Sequence, residues 1–523
     1  MKLAPIFTNH MVLQRDKTAC IFGESEKKDV VKISIDDINV EQEINAGKWI
    51  VELPPHAAGG PFKMSISSEE GETILEDVLY GDVWLDNGQS NIEFMLEEAE
   101  GGAEEIASGS YPEIRFYKMI KTGVIDEEVL RQERENHWTA FTDAAFGEVS
   151  AIGYFYATKL YEKTGVPIGL IDIYQGGSSI TCWLEEDRLA SIPEIADYMK
   201  KYYDIVENST EEEMDKVQAD YDAAADRYNN LVEELDRTRP DISLQEKLDL
   251  TGFFPWPPPL NKTTIFRPFG PVETMTKRIV PYTIKGVVYY QGEEESVKNF
   301  EYYEKTGENT QYVKLMEALI AQYRDFFGDP SLPFFYFQLP MFIEFGREDS
   351  RDWALIREAQ GTVEKPEDNI YMVSLLDIGD YNEIHPKDKK TPGYRMADTL
   401  LAKLYSGEDI EDLKLKDITK RDGQLEISFE TSFGGIKLAP NLLLDYRQES
   451  GDVAYEEGHI YGLEVSHDGT EWRVPEARLE DGKMIIDIDE EDAFIQYGHF
   501  NYGRVNVYNN LGRPLRPFRR RIR

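Results

Sequence analysis

A serine directly after an apolar strand is the first residue in the sequence that could act as a nucleophile. The segment GDVWLDNGQSNIEF (81–94) runs from apolar residues into a glycine-containing turn with Ser90, and then into an amphipathic stretch. A strand-to-helix turn of this kind exposes the serine hydroxyl and offers backbone N–H groups to a developing oxyanion. A serine that caps a helix would fit the same position. The motif alone leaves both interpretations open.

Two later apolar strands also end in polar turns. The segment IGLIDIYQGGSSITCW (168–183) contains Gly176-Gly177, where the missing Cβ lets the backbone approach a ligand closely. The segment KGVVYYQGEEES (285–296) places Gln291 after its strand, and the amide N–H of Gln291 could donate to the same oxyanion. The simpler alternatives are a turn with paired glycines and a polar strand end.

His385 is the best candidate for the general base. It lies in LLDIGDYNEIHPKDKKTPGYRMADTL (375–400), between a predicted strand and a predicted helix, with Asp377, Asp380 and Glu383 nearby. A base for Ser90 must come from such a position, at the carboxyl end of the sheet. Of the seven histidines, five fall in the β-rich ends of the chain and His137 falls in a loop-like segment. The alternative is that His385 is a structural histidine.

These residues require a parallel sheet to bring them together. Between 78 and 410, apolar runs alternate with helical patterns such as SAIGYFYATKLYEKTG, which predicts buried parallel strands joined by helices. The polar turns and the late histidine would then meet at the carboxyl edge of one sheet, where α/β folds bind ligands. The fold class predicted for this part is α/β.

Shorter alternating strands predict β structure on both sides of this core, at 1–77 and, in a β-sandwich-like form, at 411–523. A helical excursion interrupts the core at about 186–262. Within it, Thr210 and Glu213 form a capping box and Pro240 ends the helix. The excursion either lines a substrate cleft or decorates the surface.

Composition excludes several classes of function. The 523 residues carry 57 Lys and Arg against 99 Asp and Glu, a formal net charge of −42, which disfavours nucleic acid and anionic membranes as partners. No apolar run is long enough to span a bilayer. The two cysteines, Cys20 and Cys182, are too few for a disulfide framework or a cysteine-built zinc site. The sequence does not indicate an oligomeric state.

The first residues, MKLAPIFTNHMVLQRDK, lack the apolar segment of a signal peptide. They predict a cytoplasmic protein, or a secreted one if a leader has been removed.

The sequence blocks resemble those of the sialate O-acetylesterases and related acetylxylan esterases of carbohydrate esterase family six, within the SGNH hydrolase superfamily. GDVWLDNGQSN is similar to the nucleophile block of that family. Further blocks follow in the family's order: GVPIGLIDIYQGGSSITCW, IKGVVYYQGEEES, IREAQ (356–360) and DIGDYNEIHPKDK. The flanking segments LAPIFTNHMVLQRDKTACIFGES and YGRVNVYNNLGRPLRPFR are similar as well, so the resemblance covers nearly the whole chain.

The resemblance implies an SGNH-type core, hydrolysis of acetyl esters on sugars, and no metal or organic cofactor. By the same resemblance, Ser90 is the nucleophile and His385 the base. Gly176 or Gly177 and the Gln291 side chain complete the oxyanion hole together with the Ser90 N–H.

The acid that orients His385 is less well defined. Many SGNH enzymes have Asp three residues before the histidine, where this chain has Asn382. Relatives in family six often have Asp two residues before it, and Glu383 holds that position here, so Glu383 is the predicted acid. Asp380, Glu293 or a backbone carbonyl remain alternatives.

The predicted function is therefore a carbohydrate O-acetylesterase, similar to sialate O-acetylesterases, that acts on an O-acetylated carbohydrate. An acetylxylan or other acetylated-glycan esterase is the close alternative. A non-catalytic glycan-binding protein is the alternative of another class, although retention of Ser90, Gln291 and His385 argues against it. A lipase or thioesterase would need an apolar lid or acyl channel, which the sequence does not indicate.

Overall fold

The computed structural model describes residues 1–142, 146–407, 412–421, 423–430, 435–440, 456–489 and 491–522. It shows a mixed α/β protein with a central sheet, helices, and further β-sheets toward the carboxyl end. The strands before residue 400 are β1 Lys2–Leu3, β2 Val12–Gln14, β3 Ala19–Ser25, β4 Asp29–Ile35, β5 Ile38–Ile44, β6 Gly47–Leu53, β7 Gly59–Ser68, β8 Gly71–Gly88, β9 Tyr111–Lys118, β10 Thr139–Phe141, β11 Ile168–Asp172, β12 Gly286–Tyr290, β13 Phe334–Gln338 and β14 Ile370–Ser374.

The helices connect and flank these strands. They are α1 Ser90–Glu93, α2 Gly102–Ser108, α3 Glu127–Glu135, α4 Ala151–Thr164, α5 Glu186–Ala190, α6 Ala196–Asn208, α7 Glu211–Thr238, α8 Leu244–Thr251, α9 Lys277–Ile279, α10 Ser296–Thr306, α11 Gln311–Phe326, α12 Asp352–Val363 and α13 Lys390–Leu401. Helices α4 and α13 pack together, and α12 packs against α10 and α11.

The central sheet has the strand order β10-β9-β11-β8-β12-β13-β14. Neighbouring strands run parallel from β9 to β14, and only the edge strand β10 is antiparallel. Every residue of β11, β12, β13 and β14 is buried. Burial on both faces explains why these strands read as continuous apolar runs instead of alternating ones. The α/β prediction is confirmed at this level.

Strand β8 joins the amino-terminal β region to the central sheet. Its first half pairs antiparallel with β7, and its second half pairs parallel with β11 and β12. Asp77, within the strand, has a φ of 58°. The single strand β8 therefore belongs to both pairings, and Ser90 follows soon after its end.

The carboxyl-terminal region forms smaller antiparallel sheets around its own apolar cluster. Its strands are β15 Lys414–Arg421, β16 Gln424–Glu430, β17 Ile436–Leu438, β18 Leu463–Ser466, β19 Ala477–Glu480, β20 Lys483–Asp487, β21 Phe494–Tyr497, β22 Val507–Asn509 and β23 Phe518–Arg521. Buried Arg357 of α12 connects this region to the core, because its guanidinium donates to the carbonyl oxygens of Pro340 and Gly498 at 3.2 and 3.3 Å.

Helices α5 to α8 form the excursion. The Thr210–Glu213 capping box is confirmed, and α7 ends at Thr238, before Pro240. Only Met214 and Leu235 of α7 are buried, so the helix lies on the surface for most of its length. None of the helices in the described residues combines the length and the apolar character that crossing a bilayer requires.

Candidate active site

Ser90 occupies the first position of a short helix at the carboxyl end of β8. Gly88 ends the strand with a φ of 140°, and a Cβ on Gly88 would lie 2.0 Å from the Tyr290 carbonyl oxygen. Only glycine therefore allows the ends of β8 and β12 to approach this closely. Gln89 is the N-cap residue of α1, so Ser90 is not the helix cap that the sequence left open.

The Ser90 hydroxyl contacts the His385 imidazole. Ser90 Oγ lies 2.7 Å from His385 Nε2, although 295 positions separate the two residues. His385 lies in the loop between β14 and α13. Burial, together with the nearby charge of Lys389, lowers the pKa of His385 to about 4. The imidazole is therefore neutral at neutral pH, and Nε2 can accept the Ser90 proton as a general base must.

Glu383 is beside the His385 ring without forming a hydrogen bond to it. Its Oε1 lies 3.8 Å from His385 Nδ1 and accepts a hydrogen bond from the His385 backbone N–H at 2.8 Å. A separation of 3.8 Å exceeds hydrogen-bond distance. The carboxylate is 48% exposed, and its Oε1 is held by the backbone of His385 and not by the ring. The orienting role of Glu383 stays a prediction.

The two other candidate carboxylates are farther from the imidazole. Of the three, only Glu383 comes within 4.0 Å of the His385 ring in the described residues. Glu293 Oε1 accepts from Asn91 Nδ2 at 2.6 Å, and burial raises the pKa of Glu293 to about 7. Asp380 pairs with Glu383 through a backbone bridge, and burial followed by the Glu383 charge raises the pKa of Asp380.

A buried polar cluster connects the serine turn to the histidine loop, and sequence reasoning missed it. Asn91 Nδ2 also donates to the Ile384 carbonyl oxygen at 3.0 Å, and Lys389 Nζ donates to Asn91 Oδ1 at 2.6 Å. Burial lowers the pKa of Lys389 to about 7. Asn91 therefore holds the residue before His385 against the helix that carries Ser90. The only available signal was sequence proximity, since Asn91 directly follows Ser90 and Lys389 lies four residues after His385.

Gly176 lies directly against Ser90. A Cβ on Gly176 would be 3.4 Å from Ser90 Cβ. The Gly176 N–H donates to the Glu93 carboxylate, which also pairs with Lys121. An oxyanion would therefore compete with Glu93 for this donor. In the described hydrogen-bond network the N–H groups of Ser90 and Gly177 have no acceptor, so neither is already engaged as the Gly176 N–H is.

Gln291 is buried, and other acceptors already take its amide hydrogens. Its Nε2 donates to the Glu295 carboxylate and to the Ser178 carbonyl oxygen at 3.4 Å, and the Tyr312 hydroxyl donates to its Oε1 at 3.2 Å. These contacts hold the turn after β11 against the start of α10. The oxyanion role of Gln291 stays a prediction, and it would require one of these bonds to break.

The acid side of the pH profile tests the environment of His385. We expect kcat/KM for ester hydrolysis to fall with an apparent pKa near 4, well below the ordinary histidine value of about 6.5. Between about pH 6.5 and 4, His385 is protonated in the unfolded chain but not in the folded protein. The free energy of unfolding should therefore decrease as the pH falls through that range. Kinetics from about pH 3.5 to 8 measure the inflection.

Two variants identify the group behind the inflection. Lys389→Met removes a positive charge that lowers the pKa of His385, so the inflection should move to higher pH. Glu293→Gln should leave the inflection in place. A wild-type inflection near 6.5 that Glu293→Gln leaves in place would contradict the described environment of His385. An inflection that is lost in Glu293→Gln would instead belong to Glu293, whose pKa is about 7.

Comparisons with known proteins concern the family that the chain resembles. A family model described as "Carbohydrate esterase, sialic acid-specific acetylesterase" matches residues 270–402, a range that includes His385 but not Ser90. The sialate O-acetylesterase of Rattus norvegicus is 24% identical over 434 residues, covering 76% of this chain and 72% of the relative. The Homo sapiens sialate O-acetylesterase is 24% identical over 433 residues, covering 76% and 69%.

A solved structure shares the fold over the full length. The crystal structure of a carbohydrate acetylesterase from Xanthomonas citri aligns with a TM-score of 0.71 at 24% identity, covering 99% of each chain. The family match and the curated relatives confirm the predicted resemblance to sialate O-acetylesterases and indicate that the chain is a hydrolytic esterase.

Proposed function

We propose that this esterase, a carbohydrate esterase of the sialate O-acetylesterase type, releases acetate from O-acetylated carbohydrates with Ser90 as nucleophile and His385 as general base. The observation that carries the mechanism is the 2.7 Å contact between Ser90 Oγ and His385 Nε2 at the carboxyl edge of the sheet. A neutral imidazole with its acceptor nitrogen on a serine hydroxyl is the arrangement that nucleophilic ester cleavage requires.

In the first half-reaction, Ser90 Oγ attacks the acetyl carbonyl carbon while His385 Nε2 takes the hydroxyl proton. The negative charge that develops on the carbonyl oxygen is bound by the N–H groups of Ser90 and Gly177. The tetrahedral intermediate collapses, the bond to the sugar oxygen breaks, and His385 returns the proton to that oxygen. The products are the free sugar hydroxyl and an acetyl-Ser90 ester.

In the second half-reaction, a water molecule replaces the sugar. His385 removes a proton from the water as its oxygen attacks the acetyl carbon, and the same N–H donors bind the oxyanion. Collapse then breaks the bond to Ser90 Oγ, which recovers its proton from His385. Acetate leaves, and the enzyme returns to its starting state.

The order of the polar turns supports an SGNH-type arrangement of this site. Ser90 follows the strand in the middle of the sheet, Gly176 and Gln291 follow the strands on either side of it, and His385 comes last. The alternative of a glycan-binding protein without catalysis is less well supported, because a binding role alone gives no reason for the Ser90–His385 contact.

The test is acetate release from acetylated xylo-oligosaccharides, acetylated mannans and O-acetylated sialosides, with p-nitrophenyl acetate as a generic ester. We expect enzymatic acetate release from at least one sugar, with a kcat/KM above that for p-nitrophenyl acetate, because sugar contacts contribute to binding of the transition state. Hydrolysis of p-nitrophenyl acetate without acetate release from any of the sugars would contradict the carbohydrate assignment.

A further inference from the structure

A tryptophan from the excursion lies beside the serine turn. Trp256 belongs to the PWPPPL segment in which the excursion returns toward the core. A Cβ on Gly177 would lie 2.3 Å from Trp256 Cη2, so the indole ring packs directly on the Gly177 backbone. Gly176, the preceding residue, lies against Ser90. The indole ring therefore contacts Gly177, whose neighbour Gly176 lies against the nucleophile Ser90.

The indole is held in one orientation. Trp256 Nε1 donates to Glu294 Oε2 at 2.7 Å, and Glu294 is in turn paired with Lys298 at 2.8 Å. Phe266 packs edge-on against the ring at 6.1 Å between centroids, and Phe254 packs at 6.4 Å. A ring fixed on one side by aromatic neighbours and at its edge by a carboxylate loses little conformational entropy when a ligand binds.

Despite these contacts, Trp256 remains 45% exposed. Large aromatic side chains usually bury most of their surface, so an exposed one that is rigidly held next to a reactive serine needs an explanation. A pyranose ring offers a flat patch of C–H groups that would cover an indole face, and hydroxyls at its edge that would donate to a carboxylate such as that of Glu294.

Charge limits the kind of sugar. Glu294 is only 11% exposed and is paired with Lys298, whereas the half-exposed Glu383 beside His385 forms no ion pair with a Lys or Arg side chain in the described residues. The protein as a whole carries a formal net charge of −42. An anionic sugar next to Glu383 would be repelled, whereas a neutral one would not. The site therefore favours an uncharged ring next to the acetylated position.

We propose that the exposed part of Trp256, together with Glu294, forms a subsite for a neutral pyranose ring of the acetylated substrate. This inference rests on the proposed function and assigns a role to the excursion, which would line the substrate cleft in place of serving as a surface decoration. Because the subsite contacts the sugar and not the ester, its loss should weaken the hydrolysis of sugar substrates more than that of small esters.

The experiment compares O-acetylated xylotriose with p-nitrophenyl acetate in the full-length protein. Trp256→Ala should raise KM for acetylated xylotriose about tenfold, in the range expected when a well-packed tryptophan contact is removed. The loss on p-nitrophenyl acetate, which reports any shift of the Gly177 backbone, should be clearly smaller than the loss on acetylated xylotriose, and Trp256→Phe should lie between Trp256→Ala and wild type. Leu250→Ala is the matched control, since it removes an exposed apolar side chain from the same excursion.

Each outcome distinguishes the proposals. An unchanged KM for acetylated xylotriose in Trp256→Ala overturns the subsite. Equal losses on both compounds also overturn it, because Trp256 would then only support the Gly177 backbone. A larger effect of Trp256→Ala on an O-acetylated sialoside than on xylotriose overturns the preference for a neutral ring. A wild-type protein that hydrolyses neither p-nitrophenyl acetate nor any of the acetylated sugars overturns the proposed function itself.

Discussion

Ser90→Ala and His385→Ala are each expected to lower kcat for acetate release by about 10⁴–10⁶, the loss typical of removing a member of a serine hydrolase triad. Ser90 Oγ is the atom that forms the acetyl ester, and His385 Nε2 is the base 2.7 Å away. An alanine at either position supplies neither a nucleophilic oxygen nor a base. Turnover on the preferred acetylated sugar measures the effect.

The controls separate chemistry from folding. Ser191→Ala and His137→Ala change an exposed serine and an exposed histidine outside the site and should retain wild-type turnover. Thermal unfolding followed by circular dichroism should show that the two active-site variants remain folded. A variant at Ser90 or His385 that keeps more than about a tenth of wild-type turnover would remove that residue from the mechanism.

The second large effect concerns the acid that orients His385. Among the single changes Glu383→Gln, Asp380→Asn and Glu293→Gln, we expect Glu383→Gln to be the most damaging. Replacing a triad carboxylate by an amide can lower kcat by about 10⁴, which is the upper limit here. Because Glu383 Oε1 and His385 Nδ1 are 3.8 Å apart, we expect a smaller decrease in kcat, of about 10².

The amide substitution isolates the charge. The side-chain amide oxygen that Glu383→Gln introduces would still accept the His385 backbone N–H, so a loss in this variant reports the missing negative charge, whereas Glu383→Ala removes the loop contact as well. Glu293 already has a pKa of about 7, so its amide resembles a form that is populated at neutral pH. Near-wild-type turnover in all three amide variants would mean that a backbone carbonyl, or no group at all, orients His385.

Local patterns predicted the elements that present the site. Continuous apolar runs identified the buried parallel strands, and the turns and the loop that follow them placed Ser90, Gly176 and His385 at one edge of the sheet. This inference works because parallel strands share a direction, so the ends of β8, β11 and β14 must meet at the same edge wherever they are in the sequence. The capping box of Thr210 and Glu213 is also a local pattern, and it was predicted correctly for the same reason.

The hydrogen-bond partners of the residues inside the site depended on packing. The sequence offered Gln291 as an oxyanion donor, but burial places its amide against Glu295 and Ser178, because a buried amide takes whichever acceptors surround it. In the same way, the Gly176 N–H is engaged by Glu93, a contact that sequence spacing does not predict.

What the sequence by itself determined is the type of fold, the strand ends and the residues with the chemistry for ester cleavage, since these follow from hydrophobic periodicity and residue type. Only the tertiary structure decided which of these residues touch: the 2.7 Å contact of Ser90 with His385, the link from Asn91 to the histidine loop, and the position of Trp256 on Gly177. Each of these contacts joins segments that are far apart in the chain. Their geometry is set by how helices and loops pack on the sheet, and no local pattern encodes it.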